Sequence, residues 1–542
     1  MKIFRNSLQL NTSRKHNILF FYFLLIFSAV HSQHNQVNYP LNKWSSIRLD
    51  QYLLQKDSLI NSGFQPFIVQ KDYLYQLPGF EEDTGVHYFE VTKKLFGDNL
   101  IVLDKEDLFV TIDPILHLEI GHELRDESAY ADTANNFINT RGFNLRGSIG
   151  KKLSFETYFS ENQIFVPLYQ RQRILNTRVA PGGTIVKPFQ TTGFDFGYAA
   201  GFISYQAFRS WNIQIGHGKH FVGEGYRSVI LSDNTSPYPY FRSTLNLFKG
   251  KVQLTNKFSI LQNLNRLPIG DSPESLYERK AISLNAISIS PFKKLRFSIY
   301  EGVIWQTYIS GEGDISFKPD WINPLLFFNV LQNDWDDSNN LFFAFDLAYK
   351  PLRYLTVYSQ YLIDDPNTNR ESWQLGMKII EPIQGLWVRI EHNQSNHYTG
   401  AHEIPLQGLT HNNLPLAHPL GAGYKENIAQ ISYKWKRWFC DLSFQNAKTD
   451  TDVNLSPQDV SNSGINLLIP YPNADPEPMS LFQTRLTSEY YRIGYQFNSF
   501  YNLMLYLSYQ RRNYNSVNVF PEKNGLISLG IKTELFNHYY DF

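Results

Sequence analysis

The sequence has almost no cysteine and no excess of charge of either sign. Its 542 residues include a single cysteine, Cys440, so an intramolecular disulfide cannot form and a zinc site made of several thiolates is excluded. The 50 Lys and Arg residues balance the 50 Asp and Glu residues. Because a protein that binds a polyanion by bulk attraction needs a basic excess, nucleic acid is not expected as a partner.

Long apolar runs are also scarce, whereas aromatic residues are plentiful. Only residues 18–30 form a long apolar stretch, so a membrane protein made of many helices is excluded. The chain contains 34 Tyr and 41 Phe, which are too many for a disordered protein. The composition therefore indicates a folded, aromatic and β-rich protein.

The apolar stretch belongs to a predicted export signal. It follows a basic opening that contains Lys2 and Arg5, and it precedes the small residue Ser32. This order is typical of a signal peptide, which we expect to span residues 1–32 and to be cleaved after Ser32. A retained N-terminal anchor is the alternative. Since the only cysteine is far downstream, N-terminal lipidation is not expected.

From residue 107 onward the chain consists of segments of roughly ten residues in which apolar and polar residues alternate. In residues 503–508, leucine occupies every odd position, and Met504, Tyr506 and Ser508 alternate with it. A period of two predicts a strand with two chemically different faces. The same pattern places charged residues on the second face in residues 373–379, 386–391 and 431–436.

The connections between these segments alternate between short turns and long polar loops. Short turns on one side and long loops on the other are typical of bacterial outer-membrane barrels, which have an even number of strands. We therefore predict an all-β fold, a transmembrane antiparallel outer-membrane β-barrel of about 18 strands over residues 107–542, with extracellular long loops and periplasmic termini. The predicted short turns are 150–152, 208–210, 249–251, 291–294, 350–353, 381–385, 436–437 and 498–502.

A soluble protein with many strands is the alternative interpretation of the same pattern. A secreted β-propeller or a large β-sandwich needs a steady apolar repeat on its inward face, and its loops do not alternate regularly in length. The charged second face and the alternating loops favour the barrel.

Residues 33–106 do not follow the hairpin pattern. Residues 44–61 carry apolar residues at spacings of three and four, with Ser45 or Ser46 as a candidate N-cap and Gly63 as the stop. We predict a small, partly helical periplasmic domain over residues 33–106, below the barrel mouth or partly inside it.

Signatures of catalysis are few. The sequence has no GxSxG, HExxH or P-loop motif. His217 and His220 stand three apart near Glu224, but on a strand that spacing directs the two rings to opposite faces, so no metal site is expected. Glu156 and Glu391 both face the predicted lumen, so a carboxylate pair for glycoside hydrolysis is an open alternative. Basic residues share that face and can neutralise both side chains as structural ion pairs. We expect neither an enzyme nor a cofactor.

The segment from Gly216 to Arg242 is the part of the chain richest in candidate functional residues. It reads GHGKHFVGEGYRSVILSDNTSPYPYFR, with glycines at a strand end, a Gly223-x-Gly225 step, the run LSDN and a final aromatic stretch. Together with the export signal, the helical preface and the barrel, this segment resembles the capsule-assembly Wzi family, including its RemB-type gliding-motility relatives in Bacteroidetes. The resemblance covers most of the mature chain in architecture and this stretch in motif.

That resemblance implies a lectin-like outer-membrane protein that holds polysaccharide at the cell surface without transforming it. Sugars are bound by aromatic rings that stack on the pyranose and by Arg, Asn and Asp side chains that complete the hydrogen bonds, and acidic capsules favour Arg. Two predicted loops supply these residue types. The candidate binding residues are Tyr169, Arg171, Arg173, Arg178, Tyr226, Arg227, Asp233, Asn234, Tyr238, Tyr240 and Arg242.

Three functions stay open at this point. The first is non-enzymatic binding of surface polysaccharide, either capsule or exopolysaccharide. The second is a gliding-motility, adhesion or secretion component whose loops dock proteins of that machinery. The third is a porin-like channel, although aromatic residues on the predicted inner face, such as Trp387 and Tyr506, favour a plugged barrel. Outer-membrane lipid, including lipopolysaccharide, is an expected partner in each case.

Overall fold

The structure is a computed structural model that describes most of the chain. The predicted signal peptide, residues 1–32, lies outside the described residues and stays a prediction. Within the described part, no helix is both long and apolar enough to cross a membrane. The described residues are 36–70, 89–133, 135–266, 277–309, 313–314, 326–327, 339–365, 369–450, 454–456, 459–460, 464–468, 483–516, 519–537, 539 and 541.

Eighteen long antiparallel strands in these ranges close into a barrel, which confirms the predicted fold class. The last strand pairs with the first, with Leu526 opposite Glu123 and Lys532 opposite His117. The strands are β1 (Leu108–Glu123), β2 (Asn136–Ile149), β3 (Leu153–Phe165), β4 (Gly193–Phe208), β5 (Trp211–Gly218), β6 (Tyr238–Leu247), β7 (Val252–Arg266), β8 (Tyr277–Phe292), β9 (Leu295–Gln306), β10 (Asn340–Leu352), β11 (Leu355–Asp365), β12 (Arg370–Ile380), β13 (Leu386–Ser395), β14 (Tyr424–Trp435), β15 (Trp438–Asp450), β16 (Gln483–Asn498), β17 (Leu503–Ser516) and β18 (Val519–Thr533).

The chain also contains helices and shorter strands. The helices are α1 (Lys43–Lys56), α2 (Glu90–Gly97), α3 (Ala129–Thr133) and α4 (Leu168–Thr177), with single 3-10 turns at Phe248–Gly250 and Pro405–Gln407. The shorter strands are Gln36–Asn38, Phe64–Gln65, Ile68–Gln70, Ile101–Lys105, Lys187–Phe189, Phe221–Val222, Tyr308–Ile309, Gly313–Asp314, Thr410–His411, Leu414–Pro415, Asn454–Ser456 and Asp459–Val460.

The two strand faces are separated as the period of two predicts. On β17, Leu505 and Leu507 are exposed on the outside, whereas Met504 and Tyr506 are buried on the inside. The inner face also carries buried charges such as Arg296. Each predicted short turn joins two neighbouring strands, all at one end of the barrel. We call this end the turn end and the opposite end the loop end.

Helix α1 lies inside the barrel at the turn end, and its boundaries differ slightly from the prediction. It begins after Asn42, whose side-chain oxygen accepts a hydrogen bond from the Ser45 amide at 2.8 Å. Asn42 therefore caps the helix, and the expectation that Ser45 or Ser46 does so was wrong. The helix ends at Asp57 in a left-handed conformation with φ 47°, six residues before the predicted stop.

Several segments besides α1 fill the lumen, and we call them together the luminal plug. They are residues 36–66, 219–237, 396–423, 534–537, 539 and 541. The main hydrophobic core lies inside the barrel, because it joins Phe64, Ile230 and Leu409 of three plug segments to Tyr300 of the wall. The predicted domain boundary near residue 106 stays a prediction, but residues 36–66 lie against the inner wall.

Buried ion pairs fasten the plug to the wall. Glu224 accepts hydrogen bonds from Arg296 at 2.7 Å and from Lys378 at 2.6 Å. Lys378 also donates to Asp50 of α1 at 2.7 Å, and Arg296 to Asp346 at 2.9 Å. Charged side chains can be buried in this way because each is paired and hydrogen-bonded. Two plug segments are thus tied to strands β9 and β12 through one network.

Candidate functional site

A cavity lies inside the barrel, between the wall and the plug. Its volume is about 240 Å³, and we call it the luminal cavity. It extends from Lys43 near the turn end to Gln170 of α4 near the loop end. Inward-facing residues of β1–β4 and β14–β18 form one side, and residues 534–537, 539 and 541 of the plug form the other.

The upper part of the luminal cavity is lined by amides and hydroxyls. The Thr140 hydroxyl donates to the Asn162 side chain at 2.8 Å, and that amide donates to the Ser160 hydroxyl at 3.2 Å. In the part of the chain described, three buried polar atoms of the lining lack a hydrogen-bond partner, the Asn136 side-chain oxygen, the Tyr198 hydroxyl and the Asp541 Oδ1 atom. Since buried polar groups are normally satisfied, these atoms are suited to water or to the hydroxyls of a ligand.

Aromatic rings line the middle of the luminal cavity. Tyr158 packs edge-on against Phe536 with centroids 4.4 Å apart and against Tyr198 at 5.2 Å. Tyr506 of β17 lines the same cavity. Aromatic side chains with a polar handle provide both apolar contact and hydrogen bonds, which is the combination that a pyranose ring requires.

The floor of the luminal cavity is charged and internally neutralised. Arg492 donates to Asp441 at 2.7 Å and to Glu534 at 3.2 Å, and Lys532 donates to Glu534 at 3.0 Å. Burial by itself would raise the pKa of the Glu534 carboxyl, but the charges of Arg492 and Lys532 hold that pKa well below its ordinary value. The floor is therefore a fixed set of ion pairs.

Two smaller cavities, of about 80 and 70 Å³, adjoin the luminal cavity. Asn537 lines all three. The segment that follows β18 therefore divides the free space of the lumen.

The first group of predicted binding residues lies on helix α4 at the loop end. Tyr169 is buried, with the Arg512 guanidinium 4.3 Å from its ring centroid. Arg171 lies 5.5 Å from the Tyr130 ring. Arg173 donates to the Pro419 carbonyl at 3.4 Å. Arg178 ends the helix in a left-handed conformation with φ 63°; it is exposed and donates to the Leu264 carbonyl at 3.2 Å.

The second group of predicted binding residues folds inward with the plug. Arg227 is 1% exposed and pairs with Glu426 at 3.3 Å and with Asp541 at 3.0 Å. Its guanidinium also lies over the rings of Tyr226, at 4.7 Å, and Tyr539, at 5.3 Å. These contacts hold plug segments together, so the role of Tyr226 and Arg227 in binding stays a prediction.

Asp233 and Asn234 are buried in the same segment. Asp233 accepts hydrogen bonds from the Tyr539 hydroxyl at 2.6 Å and from Asn537 at 3.0 Å. Burial raises the pKa of the Asp233 carboxyl, although these two hydrogen bonds oppose the shift. Asp233 therefore anchors the segment that divides the lumen.

The remaining three predicted residues lie in a strand and not in a loop as expected. Tyr238, Tyr240 and Arg242 are inward-facing residues of β6. Arg242 donates to the Pro66 carbonyl at 2.8 Å and lies 4.7 Å from the Phe64 ring. The loop placement was wrong because the chain re-enters the wall at Tyr238.

The histidines that the sequence singled out do not converge. The His217 ring contacts the Ala199 carbonyl at 2.9 Å. His220 is buried 4.4 Å from the Tyr240 ring and 5.9 Å from the Tyr238 ring. Within the described ranges, no group of three or more His, Cys, Asp or Glu side chains is arranged to hold a metal ion.

The residues of the luminal cavity that sequence reasoning missed are mostly strand residues. Asn136, Asn162 and Tyr198 lie on the inner face of β2, β3 and β4. The alternation of inward and outward residues along each strand would have placed them inside the barrel. This alternation does not show which part of the lumen the plug leaves free.

Comparison with known proteins supports the fold. No protein-family model matches the sequence, and no curated protein does. Among solved structures, the chain is similar to Wzi, described as an outer-membrane protein involved in group 1 capsule assembly in Escherichia coli and a carbohydrate-binding β-barrel. The TM-score is 0.53 at 14% identity, over 92% of this chain and 100% of Wzi. The two chains share a fold.

Other similar structures are outer-membrane barrels with lower scores. OccD1 (OprD) matches with a TM-score of 0.41 at 9% identity, over 78% of this chain and 94% of the other. OccAB4 of Acinetobacter baumannii matches with a TM-score of 0.42 at 11% identity, over 79% of this chain and 98% of the other.

Proposed function

We propose that the protein is an outer-membrane barrel that binds and retains surface polysaccharide, capsular or exopolysaccharide, without transforming it. The observation that carries this proposal is the luminal cavity, which is lined by amides, hydroxyls and aromatic rings and reaches the loop end. The likeness to the fold of Wzi is consistent with it. The long loops would face the outside of the cell.

The outer face of the barrel supports a place in a membrane. Ile203, Leu375, Ile493 and Leu507 are all about half exposed on the outside of different strands. A closed barrel satisfies its backbone hydrogen bonds within itself, and an apolar outer band then matches the hydrocarbon core of a bilayer.

The luminal cavity has the chemistry that a neutral or acidic sugar needs. The Asn136 oxygen and the Tyr198 hydroxyl offer hydrogen bonds that the protein does not use. The rings of Tyr158 and Phe536 provide apolar surface beside them. A sugar in this position would replace water without breaking any hydrogen bond between protein groups.

Three arginines close to the loop end of the luminal cavity, although not part of its lining, favour an acidic chain. Arg173 lies near Arg227 and Arg512, and burial together with these two like charges lowers the pKa of the Arg173 guanidinium. A carboxylate on the ligand would relieve this repulsion and could form charge-assisted hydrogen bonds with arginine.

The carboxylates of the lumen do not support an alternative as a glycoside hydrolase. Glu156 is paired with Arg146 at 3.1 Å. Glu391 accepts hydrogen bonds from the backbone amides of Tyr226 and Arg227. Glycoside hydrolysis needs two carboxyl groups that both face the sugar, whereas both of these side chains are occupied by donors of the protein itself.

The test is binding of the detergent-purified protein to polysaccharide extracted from its own cells, compared with the variant Tyr198→Phe. This change removes a hydroxyl that has no protein partner and keeps the ring. If the hydroxyl binds sugar, we expect a loss of about 1 kcal/mol, or roughly a fivefold weaker affinity. Isothermal calorimetry or a glycan array measures the effect.

Tyr205→Phe is the matched control, because Tyr205 lies on the same strand but on the exposed outer face. It should leave the affinity unchanged. Saturable binding that Tyr198→Phe weakens and Tyr205→Phe does not would support the cavity as the site. If the wild-type protein binds neither capsule nor lipopolysaccharide, the proposal fails, and proteins of a gliding, adhesion or secretion machinery become the partners to seek.

A further inference from the structure

A set of large apolar side chains is exposed at the turn end of the barrel, outside the lumen. Phe89 and Val91 are 72% and 68% exposed. We call this set the rim patch. It consists of Phe89, Val91, Leu95, Ile101 and Leu103, all of them exposed. Several large apolar side chains exposed at one end of a protein are typical of an interaction site.

Helix α2, which carries part of the rim patch, is docked on the barrel by its other face. Asn498 donates to the backbone carbonyls of Lys94 at 3.0 Å and Asp98 at 2.8 Å. The Tyr501 hydroxyl donates to the Lys94 carbonyl at 3.1 Å. The helix is therefore held at the end of β16 and β17, and its exposed apolar side chains are not needed for that attachment.

A row of aromatic rings connects α2 to the outer face of the barrel. Trp438, which is exposed on the outside, contacts Tyr495 at 5.1 Å, and Tyr495 contacts Phe497 at 5.2 Å. Phe497 in turn contacts Phe96 of α2 at 6.1 Å. Helix α2 thus lies on the side of the barrel wall that faces lipid, where aromatic belts mark the membrane boundary.

The short strand Ile101–Lys105 extends the same outer surface. It pairs with the start of β1, with Ile101 opposite Ile112 and Leu103 opposite Val110. Residues directly opposite each other in an antiparallel pair face the same side. Ile112 shares the outward parity of the exposed Leu118, so Ile101 and Leu103 face outward as well. The charged residues 104–107 form the tip of this hairpin at the turn end, where the Asp107 carbonyl accepts a hydrogen bond from the Gly150 amide at 2.7 Å.

We propose that the rim patch is a membrane-surface anchor that inserts into the boundary between headgroups and acyl chains of the phospholipid leaflet at the turn end. Its apolar residues continue the lipid-facing surface of the barrel, and its charged tip lies on the water side. An amphipathic helix with this arrangement lies in the plane of the interface. The proposal rests on the membrane placement proposed above and not on polysaccharide binding.

The test places a single fluorescent label at different positions of the protein in phosphatidylcholine nanodiscs. In a Cys440→Ser background, Val91→Cys, Leu95→Cys or Lys93→Cys receives an environment-sensitive dye, and the nanodiscs contain a lipid with a nitroxide near the headgroup. Lys93 is the matched control, because it is exposed on the opposite side of the same helix, about 200° from Val91. Labels at positions 91 and 95 should be quenched about threefold more strongly than the label at 93, because the apolar face of an interfacial helix lies roughly 5–10 Å into the boundary.

Two further results would overturn the proposal. Equal quenching at positions 91, 95 and 93 would mean that the helix does not turn its apolar side toward the lipid. Protection of positions 91 and 95 from aqueous iodide without nitroxide quenching would mean that protein covers them.

Leu507→Cys, on the outer face of β17, separates these results from failure of the membrane placement itself. If position 507 is quenched while 91 and 95 are not, only the anchor fails. If none of the three is quenched, the membrane placement fails too.

Discussion

At the scale of single residues, the plug is held by ion pairs between largely buried carboxylate and basic side chains. Glu224 bridges Arg296 and Lys378, and both basic side chains are at least 95% buried. Removing one partner of such a group leaves charges buried without compensation, which costs more than losing an exposed pair. The stability of the plug therefore depends on a few residues.

The variant Glu224→Gln should destabilise the protein by about 1–3 kcal/mol, since Arg296 and Lys378 each keep one other carboxylate partner. The measurement is a urea titration in detergent micelles, followed by tryptophan fluorescence. The control is Glu161→Gln, because Glu161 pairs with Arg141 at an exposed site. The control should change the free energy of unfolding by less than about 1 kcal/mol. Equal effects of the two variants would contradict the network.

The same variant should alter the dependence of stability on pH. The charges of Lys378 and Arg296 outweigh the effect of burial and hold the pKa of Glu224 well below its ordinary value of 4.5. A carboxylate with a lowered pKa in the folded state stabilises the fold above about pH 4.5, and this contribution is lost as the pH falls further. The difference between wild type and Glu224→Gln should therefore shrink below pH 4.5.

At the scale of elements, strands and plug segments follow different rules. A strand of the barrel needs only a period of two, so its inward residues, among them Arg389, Glu391 and Lys378, could be predicted from the sequence. The loop 219–237 is polar like an exposed loop, and its inward path was not predicted. Its polar groups are satisfied by the inner wall, as where Gln360 donates to the Val222 carbonyl at 2.7 Å.

Asp50 is one of the side chains that fasten helix α1 to the wall; it accepts hydrogen bonds from Lys378 and, at 3.0 Å, from the Trp387 indole. The variant Asp50→Asn should loosen α1 while the barrel strands stay intact. We expect backbone amides of residues 43–56 to exchange about tenfold faster, which corresponds to roughly 1.4 kcal/mol. Hydrogen exchange with mass spectrometry measures this, and the exposed Gln55→Ala is the control. Unchanged exchange in α1 would contradict the proposed attachment.

At the scale of the whole molecule, the barrel is wide enough for a channel, but its lumen is filled. Plug segments from both ends of the chain and from two loops contact one another, as where Ser232 donates to the Leu416 carbonyl at 2.8 Å. Barrels with this number of strands form aqueous channels only when the lumen is open. The filled lumen gives the porin-like alternative little support.

The wild-type protein in planar lipid bilayers should therefore conduct at least about tenfold less than an open barrel of similar strand number. The double variant Asp50→Asn, Glu224→Gln should show brief openings, because it weakens the attachment of two plug segments to the wall. Single-channel recording measures both. A steady, large conductance of the wild-type protein would contradict the plugged lumen.

The sequence by itself determined the barrel, the position of its short turns and the inward or outward face of its strand residues. These features depend on local alternation and on turn residues, which are visible in any stretch of a few residues. Only the tertiary structure decided that Arg227 is a buried tie between plug segments, that Arg242 holds residue 66, and that free space remains beside Tyr198. Such contacts join residues far apart in the chain, such as Arg227 and Asp541, and they depend on how several polar segments share one enclosed volume.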